Sequence, residues 1–226
     1  MDMLRGNEIA AAGLVDWRKL AQGLHARYLV DDFGTAARFV AALGEAGDEV
    51  GHHPRVRIGR GFVDLELVTD DAIYREDDGT EHVVEWPTQR DVDLARRIEE
   101  VAAGLGLAAD PGGVCEMELG LETSQPGTVA PVWAALLTGD PDSQGRGSPG
   151  DEVRDGSVRV PNLWFDDPTE GSSQRWHVEV YVAAEARDAR LDAAIAAGGT
   201  VVDDSQAPGL TVVADQDGNR GVICVA

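Results

Sequence analysis

Basic residues are scarce in this sequence, and long apolar runs are missing. Its 226 residues include 19 lysines and arginines against 41 aspartates and glutamates, so the net charge is −22. Such an acidic chain repels phosphate backbones, and we therefore expect no nucleic-acid partner. Because no stretch of about 20 apolar residues exists, and no basic segment followed by an apolar core opens the chain, we expect neither a membrane span nor a signal peptide. The sequence thus predicts a cytoplasmic protein.

Cysteine is nearly absent as well, which excludes a disulfide framework. The two cysteines, Cys115 and Cys224, fall in predicted strands, where a buried free thiol is the usual state. The sequence leaves a single disulfide between them open, although a cytoplasmic location argues against it.

The chain does contain enough apolar material for two small cores. Hydrophobic residues make up 43% of the sequence, and a chain of this length suits two domains of about 100 residues each. Residues 110–113 carry turn residues and no periodicity, which is typical of a linker. We therefore predict a first domain over residues 1–109, a linker over 110–113 and a second domain over 114–226.

The first half alternates helical and strand patterns. Apolar residues recur with helical spacing after Asp31 and Asp32, whose carboxylates suit a helix N-terminus. Over residues 70–87 the pattern gives way to an acidic stretch, which we interpret as an inserted loop or a small hairpin. The predicted elements are a helix over 7–14, a strand over 24–30, a helix from 31 that ends between 44 and 51, strands over 56–58 and 62–69, and a helix capped by Thr88.

Two adjacent histidines, His52 and His53, stand between the second predicted helix and the strand that follows. Pro54 restricts His53 to extended backbone and lacks an amide donor, so the pair is presented on stiffened backbone. Imidazoles titrate near pH 6.5, and two neighbouring rings resist being doubly charged, which favours one acid and one base. A polar turn that happens to hold histidines is the alternative.

Three segments around the pair resemble the pterin-4a-carbinolamine dehydratase family. They are residues 48–54, 66–69 and 88–95, and the similarity extends from about residue 8 to residue 105. The resemblance implies an α+β fold in which an antiparallel sheet carries helices on one face. It also implies a lyase that removes water from a 4a-hydroxytetrahydropterin without a metal or a cofactor, and that assembles as a homodimer or homotetramer.

By this resemblance His52 and His53 are the catalytic acid/base pair. Departure of the C4a hydroxyl needs an acid for the oxygen and a base for the N5 proton, and imidazoles supply both near neutral pH. Asp48 stands at the family's acidic position before the pair, and Arg90 and Asp91 match its Arg-Asp, so these three are implied to bind substrate. The alternatives are that Asp91 simply caps its helix and that Asp48 is surface acid.

The third histidine of the family is missing from this chain. Asp70 follows Thr69 where the family has histidine, and the 70–87 insertion replaces a short link. An ionised Asp70 would serve as a catalytic base, and it would be a poor acid unless burial raised its pKa. His82, inside the insertion, would bring an imidazole to the substrate if the insertion folded back.

The second half repeats an order of strand, helix and strands, which predicts paired βαβββ modules. The predicted elements are a strand over 114–122, a helix from Pro126 to Leu137, a loop over 139–151, strands near Val158 and over 163–165, a strand over 176–182, a helix over 186–197, and short strands at Val201, 210–214 and 222–225.

This half resembles the glyoxalase-like domains of the vicinal-oxygen-chelate superfamily. The matching segments are residues 120–126, 132–137, 175–180 and 215–219. In metal-using members of that superfamily, histidines and glutamates on four strands face into a cupped sheet and bind a divalent ion.

Only two residues of that kind stand at the implied places, Glu118 and His177. A catalytic metal needs about three protein ligands, so we predict no metal and interpret the face as a cup for a small aromatic or hydrophobic ligand. Its expected lining also includes Trp133, Trp164 and Trp176. A non-catalytic binding protein with a degenerate dehydratase domain is therefore the alternative to a dehydratase, and a metal-dependent lyase or dioxygenase is a third.

Overall fold

The computed structural model describes residues 1–145, 152–168 and 175–225. It divides into two compact units, Met1–Val114 and Cys115–Val225. Each unit combines helices with strands, so the α+β class predicted from the sequence is confirmed. Within the described ranges, no helix is both long enough and apolar enough to cross a membrane.

An antiparallel sheet forms the frame of the first unit. The helices of this unit are α1 (Gly6–Ala11), α2 (Phe33–Val50) and α3 (Gln89–Gly104). The strands of this unit are β1 (Trp17–Leu20), β2 (Gly23–Leu29), β3 (Arg55–Gly59), β4 (Phe62–Leu67), β5 (Thr69–Arg75), β6 (Glu81–Trp86) and β7 (Ala108–Ala109). Strands β1, β2, β4 and β3 lie side by side in that order, and β7 pairs with β2.

The core of the first unit lies between this sheet and helices α2 and α3. Val63, Leu65 and Leu67 alternate along β4 and are buried, while Asp64 and Glu66 point to the opposite face. One face of the sheet is therefore apolar and packs on the helices. The helices contribute Phe39, Leu43, Leu94 and Ile98 to the same cluster.

Strand β1 differs from the prediction, which contained no strand before residue 24. Leu20 pairs with Gly23, so Ala21 and Gln22 form a two-residue turn in which Ala21 adopts φ +44°. Positive φ in such turns is usually taken by glycine or asparagine. Because alanine gives no turn signal, the sequence did not reveal the hairpin of β1 and β2.

The acidic insertion is a hairpin, formed by β5 and β6. The N-terminal residues hold it in place: the Ile73 amide donates to the Met1 carbonyl oxygen at 2.8 Å, and the Met3 amide donates to the Ile73 carbonyl oxygen at 3.0 Å. The Trp86 indole donates to the Leu4 carbonyl oxygen at 2.8 Å. The insertion is thus an ordered part of the first unit.

One sheet runs through the second unit. Its strands are β8 (Cys115–Glu122), β9 (Glu152–Val153), β10 (Leu163–Asp166), β11 (Trp176–Val182), β12 (Thr200–Asp203), β13 (Leu210–Ala214) and β14 (Arg220–Cys224). Its helices are α4 (Pro126–Thr138) and α5 (Arg187–Ala196). The strand order is β12-β13-β14-β11-β8-β10-β9.

Two modules meet at the centre of this sheet, where β8 and β11 pair antiparallel. Strand β10 is parallel to β8, and β14 is parallel to β11, so each module repeats the same local order. The second module is a full βαβββ unit. In the described part of the first module, β9 has two residues, and Gln144 makes an isolated bridge to Val153 at the place that a further strand would take.

The strand predicted near Val158 is wrong. Asp155 accepts hydrogen bonds from the amides of Ser157 and Arg159 at 3.1 and 3.0 Å, and Val158 has φ +54°. These bonds bend the chain into a turn, because an aspartate that binds the following amides competes with strand pairing. The loop predicted over residues 139–151 lies partly outside the described residues.

Candidate functional site

The end of helix α2 delivers the histidine pair. Gly51 closes the helix with φ +63°, a left-handed conformation that glycine adopts without strain. The His52 amide then donates to the Gly47 carbonyl oxygen at 3.2 Å. Strand β3 begins directly after Pro54, so the pair is held between the last turn of α2 and the sheet.

Gly47 provides the space that this arrangement needs. A Cβ atom at residue 47 would lie 2.5 Å from Cδ2 of His53 and 2.7 Å from the backbone oxygen of His52. We expect Gly47→Ala to lower the free energy of unfolding by about 1–3 kcal/mol, the usual cost of overpacking. Urea unfolding followed by circular dichroism measures the change, and a variant as stable as the wild type would contradict the close packing.

Gly44→Ala is the matched control in the same helix. Nothing lies within 4 Å of its Cβ position. Because only helix propensity changes there, we expect this variant to be more stable than the wild type by about 0.5–1 kcal/mol.

Asp91 is the buried centre of the site. It is 0% exposed, and its Oδ1 lies 2.7 Å from Nε2 of His52. Its Oδ2 accepts hydrogen bonds from the Thr69 hydroxyl at 2.6 Å and from the Thr88 amide at 2.7 Å. Burial disfavours the charged carboxylate, but the hydrogen bonds from His52, Thr69 and Thr88 outweigh burial and lower the pKa of Asp91. Asp91 therefore completes the capping box of α3 with Thr88 and binds His52 at the same time.

An ionised Asp91 determines how His52 can act. A carboxylate only accepts hydrogen bonds, so Nε2 of His52 carries a proton and Nδ1 is the free basic nitrogen of the neutral ring. The side chain of His52 is 11% exposed. Asp91 can stabilise the imidazolium that forms when Nδ1 takes up a proton.

His53 is the accessible member of the pair. Its side chain is 52% exposed, and its Nε2 lies 2.9 Å from Oδ1 of Asp48, which is 81% exposed. Such an exposed pair contributes little to stability. Nη2 of Arg90 donates to the Gly51 carbonyl oxygen at 2.8 Å, which ties α3 to the loop that carries both histidines. The structure thus brings Asp48, Arg90 and Asp91 to the histidine pair.

Asp70 and His82 are placed differently. Asp70 is exposed near the start of β5, beside the buried Thr69. Nε2 of His82 lies 2.7 Å from Oε1 of Glu76, and its ring stacks on Tyr74 with 6.1 Å between centroids. No hydrogen bond between described residues links Asp70 or His82 to the histidine pair. The hairpin therefore keeps His82 among its own side chains.

Thr69 is the site residue that sequence reasoning missed. It stands out only as the end of an alternating strand. Its hydroxyl lies 2.9 Å from the Thr88 hydroxyl and donates to Asp91, so two segments separated by the insertion meet at one carboxylate. The capping pattern of Thr88 and Asp91 is the sequence signal that could have led to Thr69, because a buried capping carboxylate needs further hydrogen-bond donors.

The cup predicted in the second unit is divided between two faces of the sheet. Trp176 and His177 are neighbours along β11, so their side chains point to opposite faces. The ring centroids of Trp133 and Trp176 lie 4.8 Å apart, and Trp133 packs on the helix-covered face. Trp164 lies on the face of His177, where its indole donates to Oε2 of Glu118 at 2.7 Å. Glu118, Trp164 and His177 therefore share one face, and Trp133 does not line it.

The four-strand metal set implied by the resemblance does not fit these residues. Glu118 is 1% exposed and accepts hydrogen bonds from the Trp164 indole and, at 3.2 Å, from the Asn162 amide. Val222 pairs with Glu179 in the register of β14 and β11, where that set needs a closing glutamate. An apolar side chain at the closing place leaves only Glu118 and His177 of the implied set, fewer than the three protein ligands that a catalytic ion needs.

These features define an α+β protein with a histidine bonded to a buried aspartate in its first unit and paired βαβββ modules in its second. Residues 3–101 match the family model described as pterin 4 alpha carbinolamine dehydratase, and residues 118–225 match the model of a glyoxalase-like domain. The chain belongs, through its first unit, to the pterin 4 alpha carbinolamine dehydratase family. Both resemblances found in the sequence are confirmed.

Relatives of known name match the first unit. Two proteins named "Putative pterin-4-alpha-carbinolamine dehydratase" are each 30% identical to this chain. The protein from Nocardia farcinica matches over 103 residues, 45% of this chain and 96% of its own length. The protein from Natronomonas pharaonis matches over 101 residues, 45% and 97%. A crystal structure of a transcriptional coactivator/pterin dehydratase from Brucella melitensis is 24% identical and covers 45% of this chain and 99% of its own, with a TM-score of 0.36.

Proposed function

We propose that the first unit dehydrates a 4a-hydroxytetrahydropterin, or a closely similar pterin carbinolamine, by acid–base catalysis at His52 and His53. The observation that carries the proposal is the 2.7 Å contact between His52 and the buried Asp91. It gives one imidazole a fixed tautomer, while the neighbouring imidazole stays accessible to solvent. The family of the first unit supports the reaction class, and the resemblance implies that no cofactor takes part.

The reaction needs two proton transfers, and we assign one to each histidine. Nδ1 of His52 takes the proton from N5, and the resulting imidazolium is stabilised by Asp91. His53 enters as the imidazolium and protonates the C4a hydroxyl, so the C–O bond breaks and water leaves. The electron pair of the N5–H bond forms the new N5–C4a double bond. Proton exchange with solvent, which reaches the exposed His53, then restores both rings.

The remaining residues are assigned to substrate binding by resemblance. Arg90 and Asp48 lie at the accessible side of the histidine loop, where they can meet polar groups of the pterin ring. Assembly as a homodimer or homotetramer is part of the same proposal. Since Asp70 has taken the place of the third histidine, we expect turnover with two imidazoles only.

Stopped-flow absorbance tests the proposed reaction directly. The full chain should accelerate the loss of the 4a-hydroxytetrahydropterin absorbance above the rate in buffer alone. The absence of any acceleration at micromolar protein would end the dehydratase proposal, and the first unit would then be a degenerate domain.

Restoring the third histidine should increase the activity. We expect Asp70→His to raise kcat by about tenfold, because a further imidazole adds general acid–base catalysis at a place where the family carries one. Asp71→His is the matched control, since residue 71 is the next residue of β5 and is also exposed. If both variants change kcat alike, position 70 does not face the substrate.

A further inference from the structure

Helix α5 leaves a cavity between itself and the sheet of the second unit. No side chain of α5, which is described over its whole length, is buried. In the other module, Ala134 of α4 is 0% exposed and packs in one cluster with Leu121 and Leu163 of the sheet. The cavity at α5 has a volume of about 470 Å³, and small-molecule sites usually have about 300–1,000 Å³. The second module therefore has room for a ligand where the first has a packed core.

Missing side chains create this cavity. Gly221 of β14 stands between Val178 of β11 and Val213 of β13 in one row across the sheet. A Cβ atom at residue 221 would lie 3.6 Å from the Val178 backbone oxygen and would meet no other atom within 4 Å beyond its chain neighbours. Ala194 and Gly199, from α5 and the turn after it, also line the cavity. Because protein interiors are otherwise close-packed, small residues on both sides of one space leave it open.

The lining of the cavity is mostly apolar. Val180, Val213 and Ile223 come from the sheet, and Ala194 and Ala197 come from α5 and its C-cap. Such a lining offers few hydrogen bonds to water, so an apolar ligand gains hydrophobic free energy by displacing it. A water molecule takes about 30 Å³ of the liquid, so the volume corresponds to roughly 15 non-hydrogen atoms. The cavity thus suits a small organic molecule with a largely apolar body.

Arg190 gives this apolar cavity a cationic wall. Its Nη1 donates to Sγ of Cys115 at 3.7 Å, and a thiol sulfur is a weak acceptor. Among the described residues, no carboxylate forms an ion pair with Arg190. The chain has 41 acidic residues against 19 basic ones, so its surface as a whole repels anions. A guanidinium without such a partner, beside an apolar cavity, can still bind an external carboxylate through bidentate hydrogen bonds.

The other end of the cavity is acidic. Gln216 donates to the Ala197 carbonyl oxygen at 3.3 Å, so the turn that holds Asp215 lies at the C-terminal end of α5. Arg190 precedes Ala197 by two helical turns, or about 10 Å. Nδ2 of Asn219 donates to Asp215 at 2.9 Å, and the hydrogen bonds from Asn219 lower the pKa of Asp215, so its carboxylate is ionised at neutral pH. An anionic group is thus favoured at one end of the cavity and disfavoured at the other.

We propose that this cavity binds a monocarboxylate whose apolar chain or ring system has about ten carbon atoms. The carboxylate pairs with Arg190, and the apolar body lies over the space that Gly221 leaves in the sheet. A dicarboxylate of the same length is disfavoured, because its second charge meets Asp215. The site is on the helix-covered face, whereas His177 points to the opposite face. None of its residues belongs to the first unit, so the site is independent of the proposed dehydration.

Titration calorimetry of the full chain with sodium decanoate tests the proposal. We expect one decanoate per chain with a Kd of about 100 μM, because burial of the apolar chain has to offset the cost of association. The neutral 1,2-decanediol and the dicarboxylate decanedioate should each bind about tenfold more weakly. Amide NMR spectra of the same protein locate the ligand: the signals of Gly199 and Gly221 should shift, and that of Gly51 in the first unit should stay.

Two variants separate the roles of the space and of the charge. Gly221→Leu fills the cavity and should weaken decanoate binding by about tenfold or more. Arg190→Gln keeps the cavity, so we expect about tenfold weaker binding of decanoate and unchanged binding of 1,2-decanediol. Arg97→Gln is the matched control, since it removes the same charge from an exposed arginine of helix α3 and should leave the Kd unchanged. Far-ultraviolet circular dichroism verifies that each variant keeps the fold.

Several results would contradict this site. The proposal is overturned if the wild type binds no decanoate at about 1 mM, if Gly221→Leu binds it normally, or if Arg190→Gln and Arg97→Gln have the same Kd. Loss of binding in His177→Ala would place the ligand on the opposite face of the sheet and would also overturn it. A second copy of the chain in the cavity would make the decanoate affinity fall as the protein concentration rises, and this result would likewise exclude the proposal.

Discussion

His52→Ala is expected to lower kcat for pterin-carbinolamine dehydration by about 10²–10⁴-fold, the usual contribution of a positioned acid–base group. The size of the effect follows from the geometry, because His52 is the ring whose orientation and tautomer are fixed by a buried carboxylate. KM should change far less than kcat if His52 acts mainly in the proton transfer. Stopped-flow and steady-state absorbance measure the two constants.

His82→Ala is the control for removing an imidazole. His82 bonds to Glu76 within the hairpin, so we expect its kcat to stay within about threefold of the wild type. An equal loss in both variants would mean that the hairpin reaches the substrate. A wild-type rate in His52→Ala would remove His52 from the mechanism.

Asp91→Asn should reduce kcat by about 100-fold or more. An asparagine side chain can donate a hydrogen bond to Nε2, which stabilises the ring tautomer that has its proton on Nδ1 and therefore removes the base. The imidazolium also loses its negative partner. The binding of a stable pterin analogue, measured by fluorescence, should change much less. A variant that loses binding and turnover in proportion would instead point to a role in substrate binding.

The same substitution should change how stability depends on pH. Folding lowers the pKa of Asp91 below its unfolded value of about 3.9. A depressed folded pKa contributes stability that is present above the unfolded pKa and is lost as pH falls through the folded pKa. We therefore expect Asp91→Asn to be less stable than the wild type by about 1–3 kcal/mol at pH 7, and the difference to shrink below about pH 4. Urea unfolding between pH 3 and pH 7 measures it, and a difference that is constant with pH would contradict the sign.

Local patterns predicted much of the first unit and part of its site. The capping pattern of Thr88 and Asp91 and the turn chemistry around Pro54 are properties of neighbouring residues, and both are present in the structure. The bond from Thr69 to Asp91 joins residues 22 positions apart, and it depends on the hairpin that brings them together. No local spacing contains that information.

In the second unit, local sequence patterns missed more of the long-range geometry. Strand alternation alone separates Trp176 from His177, yet shared aromatic character favoured one cup for both. Nε2 of His177 lies 3.8 Å from Oδ2 of Asp166. This approach depends on the registers of three strands and on the absence of a side chain at Gly120. Long-range register of this kind follows from the packed fold and not from any short motif.

The Thr69–Thr88 contact has a practical consequence for the hairpin between them. Because the hydroxyls of these two residues lie 2.9 Å apart, the segment leaves and re-enters the fold at nearly one point. Lengthening the chain between two ends that already lie together costs little free energy, since the entropic cost of loop closure rises only slowly with length. The exposed turn at Asp78 and Gly79 is therefore a permissive place for a peptide tag or a fluorophore.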